Sequence, residues 1–125
     1  MEGTKYKYCV LYNMSIDPKI WGQCGWKFIT SVILVYPNTP NKIDMVNMYG
    51  FLKYMGLTLP CKKCRKNFTR HLTAVPLSAD TLKNKKSLLE WYVKIRNEVN
   101  KSLNKKIMTL KEIVNELYNG GNTNK

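Results

Sequence analysis

The stretch LPCKKCR, residues 59–65, places Cys61 and Cys64 three positions apart, directly after a proline. The residues that follow, up to about position 72, have the composition of a helix, so this CxxC motif lies at a helix start. Free backbone N–H groups and the helix dipole stabilise a thiolate there, and the basic side chains of the motif add positive charge. The motif therefore favours a reactive dithiol that cycles to a disulfide. CxxC is also the commonest half of a zinc site, so the motif alone leaves both interpretations open.

Length and composition indicate one globular domain. The chain has 125 residues, of which 44% are hydrophobic, and this is enough for a single core. Its four cysteines are too few for a disulfide scaffold. Residues 1–8 are polar and contain lysines, unlike a secretory signal, and no stretch approaches the roughly 20 apolar residues of a membrane span. We therefore expect a cytoplasmic protein without a membrane partner.

The charge of the chain is strongly basic, with 21 Lys and Arg residues against 8 Asp and Glu residues and a formal net charge of +13. Such a balance is compatible with nucleic acid, an anionic surface or an anionic cofactor. The basic residues are spread along the whole chain, with short clusters at 62–65, 83–86 and 101–106. Because no nucleic-acid-reading motif accompanies the charge, we expect no dedicated nucleic-acid binding.

Capping signals and apolar periodicity predict an all-α fold, a four-helix bundle with a short fifth helix. The predicted helices span residues 18–35, 40–55, 61–74, 86–103 and 109–119. Residues 76–86 are predicted to be a polar connection. The last helix opens with a capping box formed by Thr109 and Glu112. We expect residues 1–16 to form an N-terminal arm, 17–119 the domain and 120–125 a flexible tail.

A dithiol that becomes a disulfide releases two electrons, and a cofactor must accept them. The chain has no GxGxxG motif, which excludes a Rossmann mode of dinucleotide binding. A helical bundle must then hold a flavin between its helices with aromatic, amide and cationic side chains. Suitable residues occur on the first helix and near the C-terminal half of the fourth. By spacing alone, such aromatic residues are more often part of the core.

Three groups of residues, one of which contains the cysteine pair, occur in a fixed order along the chain. The first helix carries Trp26, with the dipeptide YP at positions 36–37 ten residues on. The redox motif PCKKC, residues 60–64, follows at a fitting interval and is itself followed by Phe68.

The fourth predicted helix supplies the third group, Trp91 followed by NEVN at 97–100 and LNK at 103–105. Together the three groups resemble the Erv/ALR-type FAD-linked sulfhydryl oxidases. That family has an opening Trp…Tyr-Pro helix, a proximal CxxC and a Trp…His-Asn-x-Val-Asn…Leu-x-Lys signature. The resemblance covers residues 17–117, and the compact form is similar to the versions made by large DNA viruses.

The resemblance implies a function. Cys64 is expected to face the isoalloxazine, and Cys61 is expected to be the more exposed cysteine, which takes electrons from protein thiols by disulfide exchange. The cofactor would be FAD, and the final electron acceptor dioxygen, which yields hydrogen peroxide. The implied partners are protein thiol substrates or a thioredoxin-like relay, in the host cytoplasm or virion. The implied flavin-pocket residues are Trp26, Thr30, Tyr36, Trp91, Arg96, Asn97, Asn100 and Lys105.

The chain departs from the family pattern at three places. Thr30 and Arg96 stand where the family usually has histidines against the FAD. Arg96 can still stack on an adenine face as a flat cation, whereas Thr30 can only donate a hydrogen bond. The family's C-terminal cysteine is missing, so the fifth helix must be held by packing. Family members are usually dimers, and here the apolar faces of the first two helices, with Met45, Met48 and Tyr49, would form the interface.

The remaining cysteines and the lone histidine leave alternatives open. Cys9 lies in the N-terminal arm and is a candidate electron shuttle, Cys24 is expected to be a buried inert thiol, and a disulfide between them is an alternative. His71 is expected on the surface or half-buried. A zinc-stabilised binding module would use Cys61, Cys64 and His71 with one further cysteine, but a second CxxC is lacking, and we expect no metal. A basic nucleic-acid-binding helical protein is the third alternative.

Overall fold

The computed structural model describes residues 14–119, and these residues fold into helices without a strand. The helices are α1 (Pro18–Leu34), α2 (Lys42–Leu57), α3 (Lys62–Ala74), α4 (Ala79–Leu82), α5 (Lys85–Ser102) and α6 (Leu110–Asn119). The predicted all-α class is confirmed, with predicted helix ends that differ by a few residues at most. The tail 120–125 and most of the arm lie outside the described residues, so the division into arm, domain and tail stays a prediction.

Side-chain caps explain where the helices begin. Asp17 caps α1 by accepting a hydrogen bond from the Lys19 N–H at 2.9 Å, and Pro18 occupies the first turn. A reciprocal capping box opens α2, and others open α4 and α5. The predicted box of α6 is present, because the Thr109 N–H donates to the Glu112 carboxylate at 2.9 Å.

The one-turn helix α4 lies inside the segment predicted to be a polar connection. The Ser78 hydroxyl accepts a hydrogen bond from the Thr81 N–H at 3.3 Å and begins this turn. Leu82 is buried, and its carbonyl accepts a hydrogen bond from the Tyr36 hydroxyl at 2.7 Å. A single turn has no periodicity of its own, so only this tertiary contact reveals it.

One core joins the helices, with α5 at its centre and α1, α3, α4 and α6 packed around it. Its largest fully buried side chains are Tyr92, Ile33, Leu52, Leu88, Ile95 and Ile113. Where α2 meets α3, a Cβ at Gly56 would lie 2.3 Å from the Phe68 ring. The two helices therefore depend on glycine for their close approach. No helix in the described part of the chain is long and apolar enough to span a membrane.

Candidate active site

The cysteine pair lies at the N-terminus of α3. Cys61 has extended backbone geometry, with φ −152°, and its Sγ caps the helix by accepting a hydrogen bond from the Cys64 N–H at 3.2 Å. Both cysteines are free thiols in this structure. The sequence expectation that the pair begins a helix is therefore met by the geometry, and Cys61 itself is the cap.

The two thiols differ in acidity. The pKa of Cys61 is lowered, first by the hydrogen bond from the Cys64 thiol, although burial opposes this, and further by backbone N–H groups and the charge of Arg65. Burial raises the pKa of Cys64 to about 11, and the hydrogen bond to Cys61 acts in the same direction. In the reduced pair, Cys61 is therefore the more acidic thiol and loses its proton before Cys64 does.

A short segment that precedes α1 lies against the cysteine pair. The Ile16 N–H donates to the Pro60 carbonyl at 2.7 Å, and the Lys62 N–H donates to the Ser15 hydroxyl at 3.3 Å. Cys61 is only 9% exposed, whereas Cys64 is half-buried. The expectation that Cys61 is the more exposed cysteine is therefore wrong for this structure, because residues 15–16 lie beside it.

An apolar cavity of about 330 Å³ opens between α1, α3 and α5, closed at one side by α2. Cys64 lines it and Cys61 does not. Other lining residues include Trp21, Trp26, Ile29, Met55, Asn67, Phe68, His71, Val99, Ser102 and Leu103. The cavity thus brings the second cysteine of the motif against aromatic and aliphatic walls, which are typical of a site for a flat ring system.

His71 lines this cavity, although the sequence indicated a surface or half-buried position. Its side chain is 8% exposed, and its Nε2 lies 3.5 Å from the Ser102 hydroxyl. Burial lowers the pKa of His71, so the imidazole is neutral near pH 7. The signal that would have placed it is helical spacing, because Cys64, Phe68 and His71 stand at i, i+4 and i+7 on one face.

Arg96 is buried beside the cavity wall. Its guanidinium carbon lies 4.4 Å from the centre of the Trp26 ring, and its Nη2 donates to the Glu116 carboxylate at 2.8 Å. The side chain is 5% exposed, yet its Nε and Nη1 have no hydrogen-bond partner among residues 14–119. Two buried donors of a cation without acceptors are rare in native proteins, and they point to a missing acceptor.

Thr30 is buried, and its hydroxyl is fully engaged with the protein. Its hydroxyl is 2.6 Å from the Tyr92 hydroxyl and donates to the Trp26 carbonyl at 2.8 Å. Burial raises the pKa of Tyr92, which keeps this pair neutral. Thr30 therefore orients Tyr92 and the turn that carries Trp26.

Asn97, Asn100 and Lys105 belong to the junction between α5 and α6. The Asn97 amide binds the Met108 backbone twice, by donating to its carbonyl at 2.8 Å and accepting from its N–H at 2.9 Å. The Asn100 side chain donates to the Asn97 side-chain carbonyl at 3.2 Å, and the backbone carbonyl of Asn100 accepts from the Lys105 N–H at 2.8 Å. Asn104 takes a left-handed φ of 56° in this turn. The two asparagines thus fix the loop that presents the exposed Lys105.

Tyr36 and Trp91 lie in the core away from the lining of the cavity. The Tyr36 hydroxyl donates to the Leu82 carbonyl, and the Trp91 indole N–H donates to the Val75 carbonyl at 3.0 Å. Both polar atoms therefore fasten backbone segments. Of the eight predicted flavin-pocket residues, Trp26 alone lines the cavity in the described chain, and Arg96 adjoins it.

The other predicted thiols and the zinc alternative have separate outcomes. Cys24 is exposed on α1, so the expectation of a buried inert thiol is wrong. Cys9 lies outside the described residues, and its shuttle role and its pairing with Cys24 stay untested. Within residues 14–119, no group of three His, Cys, Asp or Glu side chains is placed to hold a metal ion.

A helical bundle that holds a CxxC pair at a helix N-terminus, with one sulfur against an aromatic cavity, defines a thiol–disulfide redox protein. The sequence model of the Erv1 / Alr family matches residues 23–119. The chain therefore belongs to the Erv1/Alr family, as the resemblance predicted.

Relatives and solved structures agree with this assignment. A probable FAD-linked sulfhydryl oxidase of Acanthamoeba polyphaga mimivirus is 36% identical over 99 residues, 79% of this chain and 69% of that protein. The FAD-linked sulfhydryl oxidase of African swine fever virus is 30% identical over 95 residues, 76% of this chain and 77% of that protein. The FAD binding domain of Erv1 from Saccharomyces cerevisiae superposes with a TM-score of 0.70 at 25% identity, covering 84% of this chain and 97% of that one.

Proposed function

We propose that this protein is an FAD-linked thiol oxidase that forms disulfide bonds in protein substrates, with dioxygen as the final acceptor and hydrogen peroxide as the product. The observation that carries the proposal is the position of Cys64, which lies in the wall of the apolar cavity that Trp26 also lines. Family membership and the names of the viral relatives support the same activity. The zinc module and the nucleic-acid-binding protein are not favoured by these relatives.

The residues present fit FAD. A volume of about 330 Å³ is at the lower end of ligand sites, so the cavity suits a ring system, and the rest of a dinucleotide would extend beyond it. The two unsatisfied donors of Arg96 are suited to acceptor atoms of such an extended ligand. Bound FAD would supply the two-electron chemistry that links the cysteine pair to dioxygen.

Cys61 and Cys64 have different roles in the disulfide exchange. A substrate thiolate attacks Sγ of Cys61 in the Cys61–Cys64 disulfide, and the sulfur of Cys64 leaves into the cavity. A second substrate thiol then attacks the mixed disulfide and releases Cys61, whose lowered pKa favours its departure. Cys64, with its raised pKa, accepts a proton after each cycle of reduction.

The other predicted site residues act around this pair. Trp26 presents its ring to the cavity, and Arg96 covers that ring and holds two donors for the cofactor. Asn97 and Asn100 fix the loop that carries the exposed Lys105, which would offer a positive charge to the pyrophosphate of bound FAD. Thr30, Tyr36 and Trp91 use their polar atoms inside the protein, so a contact with FAD would come from their apolar surfaces.

We also propose a homodimer that buries the exposed apolar face of α1 and α2. Phe28 and Val46 are 62% and 63% exposed, and Tyr49 is 41% exposed. Met48, which was expected at this interface, belongs instead to the core, and Met45 packs against it. A thioredoxin-like relay and a location in the host cytoplasm or virion remain predictions.

The visible spectrum of the purified protein tests the proposal most directly. We expect flavin absorption bands from stoichiometric FAD and oxygen uptake driven by dithiothreitol. Cys64→Ser is expected to keep FAD and lose oxygen uptake, whereas the matched variant Cys24→Ser, at an exposed thiol of α1, keeps both. A colourless protein that takes up no FAD, or one loaded with zinc, would refute the proposal.

A further inference from the structure

The exposed face of α3 next to the cysteine pair carries positive charge alone. Lys62, Lys63, Lys66 and Arg70 are all exposed on this helix. We call these four residues the basic collar. They begin directly after Cys61, so the collar starts at the sulfur that accepts substrate electrons.

No residue of the collar forms an ion pair with a carboxylate within residues 14–119. The sequence has no Asp or Glu between Asp44 and Asp80. Asp17 comes directly after Ile16, whose N–H binds the Pro60 carbonyl. The Asp17 carboxylate caps α1, where it accepts a hydrogen bond from the Lys19 N–H. The ion pairs in the described structure lie on α5, α6 and the loop between them and join Arg96 to Glu116, Lys101 to Glu98 and Lys106 to Glu112.

We propose that the basic collar is a docking surface for protein dithiols whose cysteines are flanked by Asp and Glu residues. This inference rests on the proposed function, because it names the substrate class for exchange at Cys61. An unneutralised cluster of one sign raises the local concentration of oppositely charged partners and orients them on arrival. Cys61 is only 9% exposed, so a substrate that is already oriented gains more here than at an open thiol.

The exchange that the collar assists is balanced without any further reagent. Two substrate thiols become one disulfide, while the Cys61–Cys64 disulfide becomes two thiols. Two electrons pass from the substrate sulfurs to the sulfurs of the protein, and the two protons of the substrate thiols are released or taken up by the reduced pair. The collar changes the rate of encounter and leaves the chemistry of the sulfurs unchanged.

The test measures this exchange alone, without oxygen. The full chain, first oxidised with diamide, is mixed anaerobically with a dithiol peptide that has one Cys-x-x-Cys core and either Asp/Glu or Lys/Arg flanks. Alkylation stops the reaction, and mass spectrometry counts the reduced Cys61–Cys64 pair. At about 0.01 M salt, where the Debye length is about 30 Å, we expect the acidic peptide to react about tenfold faster than the basic one. At about 1 M salt the ratio is expected to approach one.

Two charge-reversal variants separate the collar from the general charge of the chain. Lys62→Glu combined with Lys66→Glu leaves two acidic and two basic side chains in the collar, so the ratio is expected to fall towards one. The matched control, Lys83→Glu combined with Lys86→Glu, makes the same charge change at exposed positions next to the start of α5 and is expected to keep the preference. Because each variant is compared with itself on two peptides, any change in the intrinsic reactivity of its sulfurs cancels.

Three results would overturn the inference. One is a ratio near one at low salt in the unaltered chain, and another is an equal change in both variants. The third is collar-dependent binding of a DNA duplex without a peptide preference, which would reassign the surface to nucleic acid. Oxygen uptake with dithiothreitol, measured separately, reports on the proposed oxidase, so its failure is distinguishable from a failure of the docking surface.

Discussion

Replacing Glu116 by glutamine tests whether Arg96 is a buried cation that depends on a single carboxylate. Glu116→Gln keeps the shape of the side chain and removes its charge. Arg96 would then be left 5% exposed with Nε and Nη1 unpaired and its charge uncompensated. Removal of one partner of a buried pair costs about 3–5 kcal/mol. Because the Glu116 side chain is 29% exposed and water reaches it, we expect a smaller loss of about 2 kcal/mol.

The size of the effect can be measured as a change in Tm of the cofactor-free protein. Over residues 14–119, an unfolding entropy of about 2.1 cal/mol/K per residue converts a loss of 2 kcal/mol to a fall of about 9 °C. Arg96→Met removes the buried cation itself, and its cost is expected to stay within about 1 kcal/mol. The control Glu98→Gln removes the exposed pair with Lys101 and is expected to cost less than about 0.5 kcal/mol.

Without FAD, Arg96→Met is expected to be more stable than Glu116→Gln, and with FAD it is expected to be the less stable of the two. A ligand that supplies acceptors to Arg96 stabilises the unaltered chain by mass action, and Arg96→Met loses part of that gain. Differential scanning fluorimetry with and without FAD gives both shifts. Equal, small losses of Tm in Glu116→Gln and Glu98→Gln would show that the stability of the fold does not depend on the Glu116 carboxylate as the counter-ion of Arg96. An FAD-induced shift in Arg96→Met as large as in the unaltered chain would show that its donors do not meet the cofactor.

Three further outcomes follow from the packing and the titrating groups. Gly56→Ala places a Cβ 2.3 Å from the Phe68 ring and is expected to cost about 1–3 kcal/mol in urea unfolding, whereas Gly50→Ala, with nothing within 4 Å, is expected to stabilise α2 by about 0.5–1 kcal/mol. Burial holds the pKa of folded His71 below its ordinary value of 6.5, so the stabilisation from neutral His71 is present above pH 6.5 and is lost as the pH falls further. The Tm of the unaltered chain should therefore fall relative to the Tm of His71→Gln between about pH 7.5 and 5. Parallel curves of Tm against pH would contradict the burial of His71. In a reduced chain with Cys9→Ser and Cys24→Ser, iodoacetamide near pH 7.5 is expected to modify Cys61 at least about tenfold faster than Cys64, whose pKa is about 11. Peptide mass spectrometry measures the adducts of both cysteines. Faster modification of Cys64 would contradict the assignment of Cys61 as the more acidic thiol.

Much of the fold was predictable because it is encoded locally. Pro18 after Asp17, and the Thr109–Glu112 capping box, start helices whatever surrounds them. The one-turn helix α4 was not predictable, because its turn depends on the buried Leu82 and on a hydrogen bond from Tyr36, which is 46 residues away.

The candidate site was predictable in part. The CxxC motif identified Cys61 and Cys64, and family signatures pointed to Trp26 and Arg96, which the fold brings to 4.4 Å of each other. The exposure of the two cysteines was predicted in the wrong order, since the contact of residues 15–16 with Pro60 and Lys62 joins parts of the chain that are distant in sequence.

By itself, the sequence determined an all-helical chain with a redox motif at a helix start, since caps, periodicity and a short motif act over one or two helical turns. Only the tertiary structure decided that Cys64 and His71 line one apolar cavity, and that Arg96 is buried against Trp26 with Glu116 as its counter-ion. The physical reason is that these contacts join different helices. Burial, and with it the pKa of each titrating group, is a property of the packed chain and not of any single segment.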